Sequence, residues 1–593
     1  MKILRELTRH IKGYWGQVIG SWLAVMIEVG CETMIPFMMQ PMIDAIEVGT
    51  KTGSPDIQAI WYYAGWMIGL AVVSMLCGFL GGFFASGASA GFGKNLRKGM
   101  YHKIQDFSFE NIDRFSVSSL VTRLTTDITN VQFAFQTILR MVVRAPLMLV
   151  MAFTMASITC FRLSWVFLIA VPIMGFGLAF ITIKVHPTFV KVFNAYDDLN
   201  NSVKENLEGI RVVKTFNRED FEKEKFGKVS WFIYSNFAKA EKMLAFNIPL
   251  VLFTVHATIL TISYLGARLI ASDYFAGVES PFTIGELSSF FTYTMQILIS
   301  LQFMSMGFVM VIIARNSAER IYEVLIEKST LVSPENALTE VKDGSISFEH
   351  VYFRYSTVGN KDVLHDINLY VPSGSSLGIL GVTGSSKSTL VSMIARLYDV
   401  NSGEVKVGGE DVRSYDLKVL RDSVAMVLQK NTLFSGTIKT NLRWGNEDAT
   451  DEEMKEACRI AQAEEYIEAY PKKYDWPIEE GGTNVSGGQK QRLCIARALL
   501  KKPKILVLDD STSAVDTHTE SLIREGFRTK LPDMTRVIIS QRVLSIKDCD
   551  QIAIIDDGKI IALGNHEQLM ATSQAYRETC QSQLGGGGDF DVE

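Results

Sequence analysis

The residues best suited to chemistry follow a short apolar run, Ser376–Leu380, which predicts a buried strand. Residues 381–389 then read GVTGSSKST and lead into an apolar helix. A glycine-rich turn between a strand and a helix lets backbone N–H groups surround phosphate oxygens. Lys387 can then reach the outer phosphates, and the Ser388 hydroxyl can bind Mg²⁺. The predicted phosphate-binding residues are Gly381, Thr383, Gly384, Ser385, Ser386, Lys387, Ser388 and Thr389.

One position departs from the usual phosphate-loop pattern, which has glycine directly before the lysine. This chain has Ser386 there. Serine is small enough to fit, but it adds strain if the position requires a positive φ.

Two further segments point to the same chemistry. Ile505–Asp509 is an apolar strand that ends in a carboxylate, the group expected on the second side of a Mg²⁺ ion. Residues 484–489, NVSGGQ, lie between the two motifs and precede a predicted helix over 493–500. Together the segments predict a nucleotide site that binds ATP and Mg²⁺.

With these motifs in view, the chain resembles the ATP-binding cassette (ABC) transporters. Residues 485–489, VSGGQ, are a close form of the LSGGQ signature of that family, and the three motifs stand in the family's order. The resemblance implies an α/β P-loop NTPase domain in which two cassettes sandwich two ATP molecules. Each ATP would lie between the phosphate loop of one chain and the signature of the other.

The resemblance also implies roles for single residues. Tyr355 matches the aromatic residue that stacks on adenine, Gln429 matches the glutamine that touches Mg²⁺, and Asp516 matches the loop that crosses the dimer interface. The signature residues that would contact the ATP of the partner are Ser486, Gly487, Gly488 and Gln489. The implied metal-binding residues are Ser388, Gln429 and Asp509.

Two catalytic positions depart from the family. After Asp509 the family usually has glutamate, which polarises the attacking water, whereas this chain has the shorter Asp510. The switch histidine of the family is replaced by Gln541, and the 8 histidines of the chain all lie elsewhere. Glutamine can donate a hydrogen bond but cannot carry the proton. We therefore expect ATP binding to be retained and hydrolysis at this site to be weak.

These departures predict the degenerate half of a heterodimer. The partner would be a second half-transporter whose catalytic glutamate and switch histidine are intact, and the complete signature of this chain would serve the partner's site. The alternative is a homodimer with two slow sites that exports a peptide or a lipid. A regulator or an ATP-gated channel is a second alternative, although such family members resemble longer chains.

Six apolar runs precede the predicted cassette in the sequence. A hydrocarbon core about 30 Å thick needs about 20 helical residues, and every run can supply them. The runs are 13–42, 57–93, 145–161, 163–183, 243–267 and 287–314. Six spans followed by one cassette match the half-transporter exporter layout, which predicts an α-helical membrane domain with the ABC exporter fold. This pattern excludes a soluble ATPase and disfavours an importer.

Orientation follows from the basic residues near the span ends. Lys2, Arg5, Arg9 and Lys12 precede the first span, and 94–103 is basic as well. Because positive charge marks the cytoplasmic side, we expect both termini and the cassette in the cytoplasm of a cell-membrane protein. Residues 1–12 look like a helix on the inner surface of the bilayer. A net charge of −5 argues against a nucleic-acid partner.

The expected domains are a transmembrane domain over 1–325, a linker over 326–340, a cassette over 341–582 and a disordered acidic tail over 583–593. Two long cytoplasmic segments, 113–127 and 201–218, resemble the loops that press on the cassettes.

The cargo is less clearly indicated by the sequence. Glu28 and Glu32 lie one turn apart in the first span, where they either recognise cationic compounds or form an internal ion pair, the favoured reading. We expect a hydrophobic or amphipathic substrate, with multidrug export as the leading hypothesis.

Overall fold

The structure is a computed structural model that describes residues 2–53, 56–275, 282–355, 361–382, 384–511 and 514–585. It divides into two compact units. The first comprises Met1–Gln105 and Ser118–Glu327, and the second comprises Asp106–Val117 and Lys328–Glu593. The first unit is helical, and the strands named below belong to the second.

Twelve helices occupy the chain up to residue 326 of the described sequence, and all except α4 lie wholly or mainly in the first unit. They are α1 (Lys2–Arg9), α2 (Trp15–Thr52), α3 (Ile57–Gln105), α4 (Phe109–Phe115), α5 (Val117–Thr122), α6 (Ile128–Thr137), α7 (Val143–Thr159), α8 (Phe161–Glu208), α9 (Ile210–Thr215), α10 (Glu219–Leu244), α11 (Asn247–Phe275) and α12 (Ile284–Ile326). Two π-helical turns, Arg123–Asp127 and Ile138–Val142, join α5, α6 and α7 into one rod.

Within the described part of the chain, six helical segments are long and apolar enough to cross a membrane, which confirms the number of spans predicted from the sequence. They are Trp15–Thr50, Ile57–Gln105, Val117–Thr159, Phe161–Phe189, Glu219–Ala271 and Ile284–Ile326. The helices also extend beyond the apolar runs, since α3 continues to Gln105 and α8 to Glu208. Cys160 is extended and separates the third span from the fourth, so Phe161 begins α8 instead of ending the third span.

Glycines on α3 allow α2 to approach closely. A Cβ at Gly91 would come within 2.2 Å of the Tyr14 ring, and one at Gly87 within 2.6 Å of the Gln17 side chain. Small residues at such contacts are typical of packed membrane helices. The start of α2 is therefore held against α3 along a single face.

The second unit contains two main sheets. The strands are β1 (Ile346–Phe353), β2 (Leu364–Val371), β3 (Ser376–Leu380), β4 (Ser402–Val407), β5 (Glu410–Asp411), β6 (Val424–Val427), β7 (Gly436–Thr437), β8 (Pro477–Ile478), β9 (Ile505–Asp509), β10 (Thr535–Ile539), β11 (Gln551–Asp556) and β12 (Lys559–Gly564). One sheet has the antiparallel order β2-β1-β4-β5. The other has the order β12-β11-β3-β10-β9-β6 and is parallel except for β12.

Burial explains why these segments form the sheet. Every residue of β3 and of β9 is buried, as expected for strands of a parallel sheet that is covered on both faces. The α/β architecture predicted from the sequence is confirmed. The covering helices are α13 (Lys387–Ser392), α14 (Leu417–Ser423), α15 (Ile438–Leu442), α16 (Asp451–Ile460), α17 (Glu464–Ala469), α18 (Gly487–Leu500), α19 (Thr517–Lys530), α20 (Val543–Ile546), α21 (His566–Thr572) and α22 (Gln574–Gly585).

Helix α4 belongs to the second unit although it lies between membrane spans in the sequence. The Tyr398 hydroxyl donates a hydrogen bond to Asp113 Oδ2 at 2.6 Å, and the Phe109 ring lies 6.1 Å from the Tyr398 ring. Burial and this hydrogen bond raise the pKa of Tyr398, so the phenol stays protonated and remains a donor. This contact lies at the start of the segment 113–127, which resembles a coupling loop.

The first three residues of the expected tail are helical. Residues 583–585 form the last turn of α22, and Gln583 makes the hydrogen bonds described below. Residues 586–593 lie outside the described residues.

Candidate active site

The candidate active site lies where parallel strands of the larger sheet end. Ile539 of β10 pairs with Asp509 of β9 on one side and with Ile379 of β3 on the other. The carboxyl ends of parallel strands meet at one edge of a sheet, and ligands bind in the crevice outside that edge. The loops that follow these strands carry the phosphate loop, the Asp509–Asp510 pair and Gln541.

A cavity of about 290 Å³ opens between these loops. Nine of the residues predicted from the sequence line it, namely Gly384, Ser386, Lys387, Ser388, Thr389, Gln429, Asp509, Asp510 and Gln541. Val363 and Ile539 also line it, and both were missed. Ile539 could have been inferred because it ends the strand before Gln541, whereas Val363 has no chemical signal in the sequence.

The lysine of the phosphate loop is held by its own loop. Lys387 Nζ donates hydrogen bonds to the carbonyl oxygens of Gly381 and Val382 at 2.8 and 2.7 Å, and to Ser385 Oγ at 3.2 Å. Burial lowers the pKa of Lys387, and the nearby carboxylates of Asp509 and Asp510 oppose that shift. The ammonium is thus partly desolvated and positioned for an anion.

The loop backbone explains its glycines and its one departure. A Cβ at Gly381 would come within 2.3 Å of the Ile555 carbonyl oxygen, so the position requires glycine. Ser386 has a φ of 72°, the left-handed conformation in which serine adds strain. Such a residue costs about 1–3 kcal/mol, which the surrounding loop must offset. Thr383, also predicted to bind phosphate, lies outside the described residues.

Four oxygen-bearing side chains line the cavity beside the lysine, namely Ser388, Gln429, Asp509 and Asp510. Interaction with the Ser388 hydroxyl acts to lower the pKa of Asp509, and interaction with the Gln429 amide acts to lower the pKa of Asp510. Burial raises the pKa of Asp509, and the charge of Asp510 adds to this effect, whereas Ser388 and Lys387 oppose it. Carboxylate, hydroxyl and amide oxygens suit Mg²⁺. Ser388, Gln429 and Asp509 therefore fit the metal-binding role predicted for them.

Asp510 and Gln541, the two positions at which this chain differs from the catalytic residues usual in the family, both line this cavity. Asp510 has a φ of 47°, and its backbone N–H donates to the Ile539 carbonyl oxygen at 3.1 Å. Aspartate tolerates this left-handed conformation better than most residues do. Burial raises the pKa of Asp510, with Lys387 and the Gln429 hydrogen bond acting in the opposite direction. The side chain of Gln541 is a neutral amide, whereas the histidine usual at this position in the family has an imidazole that can carry a positive charge.

A residue near the end of α22 holds the backbone at Gln541 and just after it. Gln583 Nε2 donates to the Gln541 carbonyl oxygen at 2.7 Å, and the Val543 backbone N–H donates to Gln583 Oε1 at 2.8 Å. One amide group thus clamps the loop between β10 and α20. Sequence analysis missed this residue because nothing local marks it.

Replacing Gln583 with alanine is expected to loosen the switch loop. The Val543 N–H then loses its acceptor, so its amide hydrogen exchange should accelerate by about ten-fold, as for a lost hydrogen bond worth ~1.4 kcal/mol. Exchange measured by mass spectrometry on peptides covering 541–546 provides the test. Gln581→Ala on the same helix is the matched control, and equal exchange in both variants would contradict the clamp.

Tyr355 lies beside the phosphate-loop helix. Its hydroxyl is 2.9 Å from Thr389 Oγ1, and its ring meets Phe353 and Tyr398 edge-on, with ring centres 4.9 and 5.2 Å away. Burial raises the pKa of Tyr355, which keeps the hydroxyl protonated. The adenine-stacking role stays a prediction.

The signature motif forms the start of α18. Ser486 Oγ accepts a hydrogen bond from the Gln489 backbone N–H at 3.3 Å, and Gln489 Oε1 accepts one from the Ser486 N–H at 2.9 Å. Gly487 and Gly488 lie against Ala514, whose carbonyl oxygen would be 2.8 Å from a Cβ at Gly488.

Asp516 is the cap of α19 and accepts a hydrogen bond from the Thr519 N–H at 2.9 Å. That bond lowers the pKa of Asp516. The described lining of the cavity includes neither Asp516 nor the signature residues Ser486, Gly487, Gly488 and Gln489.

Comparison with known proteins identifies the family of the chain. The family model of the ABC transporter transmembrane region matches residues 18–301, and the ABC transporter family model matches residues 364–513. Among solved structures, a bacterial Atm1-family ABC exporter with ATP bound is similar with a TM-score of 0.81 and 22% identity. That match covers 98% of this chain and 100% of the other, and shows a shared fold.

Similar curated proteins span nearly the same length. The uncharacterized ABC transporter ATP-binding protein YfiB of Bacillus subtilis is 34% identical, over 93% of this chain and 94% of its own length. The uncharacterized ABC transporter ATP-binding protein Rv1273c of Mycobacterium tuberculosis is 33% identical, over 98% of each chain. The chain therefore belongs to the ABC transporter family, as a multi-pass membrane protein whose transmembrane region has the exporter fold and is joined to an ATP-binding cassette.

Proposed function

We propose that this chain is the degenerate-site subunit of a heterodimeric ABC exporter. It uses ATP to move amphipathic small molecules, of the multidrug type, across the cytoplasmic membrane by alternating access. The observation that carries the proposal is the position of Asp510 and Gln541, which both face the cavity beside Lys387. General acid–base groups contribute about 10²–10⁴-fold to a reaction rate. Because both groups are weakened here, the site is expected to bind ATP but to hydrolyse it slowly.

The binding groups of the site support ATP retention. Lys387 offers an ammonium to the outer phosphates, and the backbone of the phosphate loop surrounds them. Ser388, Gln429 and Asp509 would hold Mg²⁺, which neutralises charge on the phosphates when it is bound. In this proposal the site keeps ATP for long periods and acts as a clamp.

The partner is a second half-transporter with an intact catalytic glutamate and switch histidine. The complete signature of this chain supports that assignment, because its residues lie away from the described lining of the chain's own cavity. Signature residues so placed can serve the phosphate loop of another chain. Hydrolysis at the partner's site, followed by phosphate release, resets the transporter.

The orientation rests on the basic residues that flank the spans. Both termini and the cassette then lie in the cytoplasm, and the cassette closure is passed to the spans through the coupling segments 113–127 and 201–218. The contact between Asp113 and Tyr398 supports a coupling role for the first of them.

The cargo is argued from the spans. Arg144 forms ion pairs with Glu28 and Glu32, at 3.2 and 2.7 Å, which supports the internal ion pair over recognition of a cationic substrate by these carboxylates. The case for amphipathic cargo rests instead on soft apolar side chains that are exposed on the sixth span. These are Met295, Phe303, Met306 and Phe308. Phe290 on the same helix is buried and packs on Phe167.

Steady-state ATPase activity of the chain purified alone tests the proposal, with binding of a fluorescent ATP analogue as the control for folding. We expect saturable nucleotide binding with turnover at least a hundred-fold below the ~1–10 per second of working enzymes. Ordinary turnover would favour the homodimer with two active sites. Ion conductance across a planar bilayer containing the protein would favour the channel alternative.

A further inference from the structure

A basic cavity of about 440 Å³ lies between the end of α1 and the last turns of α3. It is formed within the first unit and is separate from the nucleotide site. Its lining residues are Arg9, His10, Lys12, Asn95, Lys98, Gly99 and His102. Every one of these residues except Asn95 and Gly99 is basic, and no carboxylate is found in the described lining.

The cavity is built by a regular row along α3. Gly87 and Gly91, which receive Gln17 and Tyr14, are followed at the same four-residue spacing by Asn95 and Gly99. Residues four apart lie on one helix face. The row therefore continues the α2–α3 contact toward the segment that joins α1 and α2.

The last two positions of the row fix that segment. Asn95 Nδ2 donates hydrogen bonds to the His10 and Lys12 carbonyl oxygens at 2.9 and 3.0 Å. A Cβ at Gly99 would come within 2.6 Å of His10 Cε1, so glycine leaves the space that the imidazole fills. The backbone over 10–12 is thus pinned to α3, which brings the basic side chains around one space.

Ion pairs among the described residues neutralise only part of the positive charge in the cavity. Arg9 forms a 2.7 Å ion pair with Glu6, one turn earlier on α1. Within the described part of the chain, Lys12 and Lys98 have no ion-pair partner. Burial lowers the pKa of His10, so at neutral pH its imidazole is an uncharged hydrogen-bonding group. An anion in the cavity would relieve the repulsion between the two lysines.

The place of the cavity along the span indicates where such an anion comes from. The uncharged run 57–93 of α3 ends one residue before Lys94, and the cavity begins at Asn95. Exposed Trp15 starts α2 nearby, and tryptophan is enriched where membrane helices leave the hydrocarbon. The cavity therefore lies at headgroup depth, and basic pockets of this kind bind lipid headgroups.

We propose that this cavity binds the phosphate of an anionic phospholipid headgroup. The phosphate diester accepts hydrogen bonds from Lys12 and Lys98, with Arg9 and His102 at the rim, and the acyl chains extend along the apolar surface of the first two spans. The bound lipid joins α1 to α3 through charge, in addition to the Asn95 hydrogen bonds. Free phosphate offers the same chemistry, and the test below separates the two sources.

The test uses the full-length chain, delipidated in a neutral detergent and titrated with dioleoyl phosphatidylglycerol during native mass spectrometry. The cavity variant is K12Q/K98Q, and the matched control is K94Q/K103Q, which removes two lysines of α3 that do not line the cavity. Each basic residue near a lipid surface contributes about 1 kcal/mol. We therefore expect the cavity variant to bind phosphatidylglycerol at least about ten-fold more weakly than the wild type, with the control close to wild type.

Three results would overturn the proposal. One is an equal loss of phosphatidylglycerol in both double variants, which would indicate general attraction to the basic surface. Another is equal binding of dioleoyl phosphatidylcholine and phosphatidylglycerol by the wild type. The third is displacement of the lipid by millimolar inorganic phosphate, which would assign the cavity to a free anion. If K12Q/K98Q does not fold, phosphatidylglycerol binding is compared between the single variants K98Q and K94Q. The proposal then requires that K98Q weaken binding and that K94Q leave it unchanged.

Discussion

Changing Asp510 to glutamate and Gln541 to histidine together is expected to raise the ATPase rate of the isolated chain by about a hundred-fold or more. The gain follows from the 10²–10⁴-fold that general acid–base groups typically contribute. Both side chains already line the cavity that holds Lys387 and Asp509, so the variant changes the reacting groups and keeps the binding groups. The measurement is phosphate release by the variant in nanodiscs that hold two copies, because a second copy must supply the signature.

Two comparisons make that result specific. Each single variant should gain less than the double variant, since the glutamate and the histidine act on the same water and phosphate. Adding Lys387→Ala to the double variant should remove the gain, because in this proposal the Lys387 ammonium binds the outer phosphates. If the double variant binds ATP normally and hydrolyses it no faster than the wild type, Asp510 and Gln541 are not what limits this site.

Replacing Arg144 with glutamine is expected to destabilise the membrane domain by about 1–3 kcal/mol, the cost of leaving a buried polar group unsatisfied, because the Arg144 side chain itself is 32% exposed. Arg144 Nη2 lies 2.7 Å from Glu32, and Nη1 lies 3.2 Å from Glu28, which is only 5% exposed. Glu28 Oε2 has no hydrogen-bond partner among the described residues, and Arg140, the other cation near Glu28 there, forms no ion pair with it. The midpoint of thermal unfolding in detergent reports the loss.

The neighbouring Arg140→Gln is the matched control for this variant. Arg140 lies one turn earlier on the same rod and is exposed, so we expect a much smaller change. The triple variant E28Q/E32Q/R144Q removes the charges together and should recover most of the lost stability. A midpoint that is the same for R144Q and R140Q would show that the ion pairs do not stabilise the spans.

The nucleotide site could largely be predicted from the sequence because its parts are local. The phosphate loop follows β3 and Asp509 ends β9, so each motif is an apolar run with its reactive residues directly after it. Parallel pairing then brings those ends together. The concern raised by Ser386 could be stated in advance as well, and its φ of 72° confirms that the position is left-handed.

Contacts between distant segments could not be derived in the same way. Gln583 lies 42 residues from Gln541, and its contact joins a side chain to a backbone without a recognisable pattern. Arg144 lies 112 residues from Glu32. From the sequence, an internal ion pair is the favoured of two interpretations for Glu28 and Glu32, the other being recognition of cationic compounds. The sequence could not decide between them, because the rotation of each helix determines which side chains meet. The basic cavity at α1 depends similarly on the packing of α3.

The π-helical turn Ile138–Val142 sets the rotation that the ion pairs require. Such a turn acts as a single inserted residue in an α-helix, and one residue corresponds to about 100° of rotation at 3.6 residues per turn. Arg144 comes directly after this turn, at the beginning of α7. Removing one residue from the turn would rotate α7 and carry the guanidinium away from both glutamates. The one extra residue of the π-helical turn therefore determines whether the charges of Glu28 and Glu32 are neutralised by Arg144 inside the membrane domain.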